Sequence, residues 1–134
     1  MIDHQAALIY TMVLVSASDR NMSDAEMRII GDNVRDLPVF GNYDRDQLTR
    51  QLDECAKLLN HDNGLDQTFG QIKAALSPRL RETAYALACD VAAADGEASQ
   101  EELRVLELIR HHLHIDRLVA AAIERGTRAR FMTV

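Results

Sequence analysis

A gapless internal repeat constrains this chain more than any other feature. Residues 19–30 (DRNMSDAEMRII) align with residues 95–106 (DGEASQEELRVL) at an offset of 76 residues. Asp19/Asp95, Ser23/Ser99, Glu26/Glu102 and Arg28/Arg104 are identical, and Met27/Leu103, Ile29/Val105 and Ile30/Leu106 are apolar matches. Val15/Val91 and Ala17/Ala93 extend the likeness upstream. Each copy reads as a buried helix, a short acidic turn and an amphipathic helix. Two such units, at about 6–37 and 82–113, predict an all-α fold with pseudo-two-fold packing.

The remaining sequence keeps the same period. Met27, Ile30, Val34 and Leu37 form one stripe of a 3.6-residue helix; Leu48, Leu52, Cys55 and Leu59 form a second; Leu103, Leu106, Ile109 and Leu113 form a third. The runs 6–15 and 84–94 are apolar nearly all round, as central helices are. Ser77-Pro78 is a good helix start, Gly41-Asn42 and Asn63-Gly64 read as turns, and Gly126 is placed to close the last helix. The expected helices are 3–18, 23–37, 44–61, 65–76, 78–94, 99–113 and 116–126, a bundle of about seven in one domain over 1–134. With 134 residues the chain can bury about two-thirds of its unfolded surface without disulfide or metal.

Charge narrows the function. The net charge is −6, and two windows account for it: 19–36 carries −2 and 95–107 carries −4. An acidic chain is repelled by phosphate backbones and anionic membranes, so nucleic acid is not an expected partner. The longest apolar run is far shorter than the ~20 residues that cross a bilayer, and the N-terminus lacks a secretory n-region. A cytoplasmic protein is expected. Cys55 and Cys89 sit in apolar runs without metal-finger spacing and are expected as buried, reduced thiols.

The chemistry of the repeated turn admits two readings. Ser23 and Ser99 are each followed three residues later by Glu26 and Glu102, a capping box in which serine and glutamate satisfy each other's backbone N–H. Asp24 and Glu101 suit the positive end of the helix dipole. Capping requires neither Asp19 nor Asp95, which end the preceding helix where a carboxylate opposes the dipole. The oxygen-bearing side chains Asp19, Asn21, Ser23, Glu26 and Asp95, Glu97, Ser99, Glu102 begin like a calcium loop. No glycine follows at the sixth position, and the glutamate comes at the eighth, so this is not an EF-hand. A looser divalent-cation site formed by Asp19, Glu26, Asp95 and Glu102 is the functional reading, with calcium or magnesium ahead of zinc.

With these motifs the chain resembles the TerB-like domain of tellurite-resistance proteins, a relative of which occurs in the DnaJ-like membrane co-chaperone. The second unit, Ala94-Asp95-Gly96 through Glu101-Glu102, matches the family pattern. The first departs from it at Ser18, Arg20 and Ala25, which replace alanine, glycine and the first glutamate. The resemblance covers most of the chain. It implies about seven helices, a bacterial cytoplasmic protein of tellurite or general stress resistance, a metal-linked acidic site at Asp19, Glu26, Asp95 and Glu102, and a binding or scaffold role without catalysis. The alternative is a structural helical domain for protein interaction or homo-oligomerisation, its turns serving only as caps.

Other candidates point to structure. His111, His112 and His114 end a helix, where histidine and Arg110 suit the dipole and too few ligands gather for zinc. Met12, Met22 and Met27 read as core filler. No phosphate loop, nucleophile elbow or HExxH occurs. The stretch from Arg125 through Arg128 and Arg130 to Phe131 reads as a frayed or partner-docking terminus.

Overall fold

The computed structural model describes residues 1–20 and 22–134. Seven α-helices are present among them: α1 (His4–Ala17), α2 (Asp24–Asp36), α3 (Leu48–Leu59), α4 (Gly64–Ala75), α5 (Pro78–Ala93), α6 (Gln100–His112) and α7 (Arg117–Arg130). Side chains start most of them. Asp3 accepts from the Ala6 N–H, Ser77 precedes Pro78 and accepts from Leu80, and Asp116 accepts from both Leu118 and Val119.

α1 forms the centre. Every residue from Gln5 to Ser16 is buried, which explains an apolar pattern with no polar face. α2, α3, α4, α5 and α6 all pack on it, and α5 carries α2, α6 and α7 on its other sides. One core runs through the bundle from Leu8, Ile9 and Met12 to Tyr85, Ala88, Ile109 and Leu113. No helix among the described residues is long and apolar enough to cross a membrane.

Four local expectations are corrected. The expected helix 44–61 is two pieces: Asp44 caps a 3₁₀ turn at Arg45–Gln47, and α3 begins only at Leu48. α7 passes through Gly126 to Arg130, because Thr127 and Arg130 both bond Asp90 of α5 and hold the last turn down. The stretch through Arg128 and Arg130 is therefore helix and not a frayed end. Leu103, placed in a buried stripe by its spacing, is 47% exposed, because the inward place on that turn belongs to Glu102. Met22, 44% exposed, is no core filler, whereas Met12 is fully buried and Met27 packs at the core's edge.

The α3–α4 corner is tight. Asn63 takes a left-handed conformation (φ 59°), and Gly64 follows it so close to α3 that a Cβ there would lie 2.2 Å from the Leu58 carbonyl oxygen. The turn Asn63-Gly64 thus needs its glycine for space, not only for flexibility.

Candidate functional site

Both acidic turns end in complete capping boxes. Ser23 Oγ accepts from the Glu26 N–H at 3.1 Å, and the Glu26 carboxylate accepts from the Ser23 N–H at 3.2 Å. Ser99 and Glu102 repeat the pair at 3.1 and 2.9 Å. A capping glutamate ordinarily lies on the surface. Here Glu26 and Glu102 are only 2% and 3% exposed, because α2 and α6 each turn the capped first turn inward against the α1–α5 pair.

The two carboxyl groups meet there, within hydrogen-bonding reach of each other. Burial, and then the bond to Glu102, raises the Glu26 pKa to about 7. Ser16 Oγ, itself fully buried, donates to Glu26 Oε1 at 3.0 Å. Glu102 has no such donor: its Oε2 is sealed from solvent without a hydrogen-bond partner. The Glu26 carboxyl can supply one only while it carries a proton. With both groups ionised, two like charges share a dry site and one oxygen is unsatisfied, an unfavourable arrangement in a low dielectric.

Nearer the surface the turns are joined directly. Ser23 Oγ, already an acceptor from Glu26, donates to both oxygens of Asp95, each at 3.0 Å, across 72 residues of sequence. Asp95 is exposed and Asp19 half-buried, and Asn21, named as an oxygen-bearing position of the first turn, lies outside the described residues. The structure therefore pairs Glu26 with Glu102 below and Ser23 with Asp95 above. Among the described residues no three His, Cys, Asp or Glu side chains gather around a single point.

The backbone marks a difference between the turns. Gly96 and Arg20, at equivalent places in the repeat, both have positive φ, at 96° and 59°. Glycine adopts this region at no steric cost, whereas a side chain costs roughly 1 kcal/mol. Arg20→Gly should leave the fold intact and raise stability by a few tenths to ~1 kcal/mol, since added unfolded-state freedom offsets part of the relief. A urea midpoint below that of the parent chain would contradict this.

Ser16, which bonds the buried glutamate pair, was not singled out by sequence reasoning. It stands ten residues before Glu26, just past the apolar run 6–15, where a serine reads as filler. The other candidates have structural explanations. His112 stacks on Phe69 with ring centroids 4.1 Å apart, and His114 Nε2 lies 3.2 Å from Lys73 Nζ. Cys55 and Cys89 are free and buried, and burial pushes both thiols up to about 12, so neither is a thiolate nucleophile at neutral pH.

In comparisons with known proteins, the family model described as "Tellurite resistance protein TerB" matches residues 5–125. Neither the search of curated proteins nor that of solved structures returned a match.

Proposed function

The chain belongs to the tellurite resistance protein TerB family, and from that premise we propose that it is a non-catalytic binding module of tellurite or general stress resistance. Its working surface is the joined pair of acidic turns, and its ligand there is a hard divalent cation, calcium or magnesium. The observation that carries this reading is the unsatisfied Oε2 of Glu102 beside the Glu26 carboxyl. A divalent cation would neutralise both carboxylates and satisfy that oxygen at once, without the proton that Glu26 otherwise holds. The donors are all oxygen, which suits calcium or magnesium and gives zinc none of its preferred nitrogen or sulfur ligands.

The residues fit such an ion in part. Glu26 and Glu102 would hold it from within, with Asp19 and Asp95 lending negative charge at the rim and water completing the shell. Two carboxylates with a hydroxyl form a sparse ligand set, so modest affinity is expected. The protein would act by presenting or withdrawing this charged surface to a partner.

Melting curves with and without millimolar calcium or magnesium provide the test. At a hundredfold excess over Kd, the cation should stabilise the chain by about 2.7 kcal/mol. The double substitution Asp19→Asn and Asp95→Asn should weaken that response while leaving the cation-free protein folded. Identical melting of the unsubstituted chain in metal and in chelator would reduce the turns to helix caps.

A further inference from the structure

α6 and α7 run antiparallel, both packed on α5 and hardly on each other. The groove left between them has α5 as its floor, at Cys89, Ala92 and Ala93, and a volume of about 840 Å³ at the end where α6 begins. Leu103 and Leu106 line its α6 wall, and Phe131 and Met132 its α7 wall. Leu103 and Met132 are 47% and 62% exposed. The repeat shows that such exposure is peculiar to this copy. On α2 the equivalent residues are Met27, packed at the core's edge, and Ile30, fully buried. After α2, two helices, α3 and α4, pack on the central α1; after α6, α7 alone packs on α5.

Beside the groove stands a ridge. The outer face of α7 carries Leu118, Ala121, Ala122, Arg125, Ala129 and Met132 at helical spacing, all exposed, and only Arg125 among them is charged. Small side chains on such a face let another helix approach closely. A groove with a ridge alongside is complementary to its own copy. A two-fold axis parallel to the helices lays each α7 ridge in the other chain's groove, with α7 antiparallel to the partner's α6.

Charge fits the same operation. Arg104 pairs with Glu107 at 3.0 Å and Arg110 with Glu124 at 3.5 Å, all within the chain. Glu97, just before α6, and Arg128 of α7 are exposed and line the groove from its two sides. Neither belongs to an ion pair among the described residues. The two-fold that seats the ridges sets each Glu97 on the side of the partner's Arg128. An unrelated helix would have to carry both opposite charges in register, whereas a second copy already has them. We propose that the groove between α6 and α7 is a self-association surface, filled by α7 of a second copy of this chain about a two-fold axis parallel to the helices.

This association needs no cation, and it is measured in chelator so that it stands or falls apart from the cation reading. Sedimentation equilibrium of the full chain should show monomer and dimer with a Kd of about 10–100 µM, as suits a small interface. Glu97→Arg and Arg128→Glu should each weaken the dimer about tenfold or more, since each sets like charges opposite one another twice. Mixed in equal amounts, the two variants should associate about as well as the parent, because every charge across the two-fold again meets its opposite. Leu103→Glu, at an exposed position, should abolish the dimer while melting close to the parent. A parent chain that stays monomeric up to about 1 mM would overturn the proposal. So would a dimer indifferent to Leu103→Glu and both charge reversals, or a mixture that associates no better than either variant alone.

Discussion

At pH 8 in chelator, Glu26→Gln should melt above the parent chain, by up to about 10 °C for a gain of up to about 3 kcal/mol. The sign follows from where the proton resides. In the folded chain Glu26 keeps its proton up to about 7, against 4.5 for an ordinary glutamate, because burial and the neighbouring Glu102 penalise its charged form. Between those values the folded protein binds more protons than the unfolded one. The stability this group contributes is therefore complete below pH 4.5 and is lost as pH rises through about 7. Glutamine keeps the neutral shape at every pH. Its carbonyl can accept from Ser16 and the Ser23 N–H, and its amide can donate towards Glu102. Denaturation profiles should show the parent losing stability from pH 4.5 to 7 and the variant staying flatter, the two meeting near pH 5. Parallel profiles would mean that Glu26 is not the proton holder.

Gly64→Ala should cost about 3 kcal/mol or more, which is unusual for a glycine at the start of a helix. Alanine normally favours a helix by about 1 kcal/mol over glycine. Here its Cβ would lie 2.2 Å from the Leu58 carbonyl oxygen and 2.9 Å from the Leu59 carbonyl carbon and oxygen. These are backbone atoms of the last turn of α3 and cannot rotate away. To relieve the clash, the corner between α3 and α4 must open, loosening both against α1. Gly70 supplies the control. It is exposed in the middle of α4, and a Cβ there would meet nothing within 4 Å. Gly70→Ala should stabilise by about 0.5–1 kcal/mol. Urea midpoints that shift in opposite directions are the expected result; equal shifts would show that the corner has slack.

How far the sequence reached depended on whether a residue's role was local. Capping boxes, the helix start at Ser77-Pro78 and the stripe of Ile30 and Val34 follow from neighbours three or four residues away, and these were legible. The inward turn of Glu26 and Glu102 was not, because an acidic residue in a first turn is already explained by the helix dipole. Only the approach of α2 and α6 to the α1–α5 pair buries them. The bond from Ser23 to Asp95 depends on the same packing, so the repeat could suggest a site shared by the two turns but not which of their side chains touch. Gly126 misled for a related reason: a glycine near the end of a pattern resembles a stop, yet the Asp90 contacts from Thr127 and Arg130 outweigh its low helix propensity. The exposed Leu103 is the counterpart of the buried Glu102: α6, unlike α1, is covered on one side only, and adjacent residues lie about 100° apart around a helix.

The complete burial of α1 also has a consequence for biosynthesis. Its apolar surface leaves the ribosome well before its largest partner surface, α5, which ends only at Ala93. At ~5–20 residues per second, the 76 residues between the ends of α1 and α5 take about 4–15 s to synthesise. During that interval α3 and α4 can shield part of α1, but the side destined for α5 stays open to water and to other nascent chains. A sequence order that places the centre of the bundle ahead of the helix that covers it thus lays its greatest exposure to aggregation on the growing chain, before the finished fold exists.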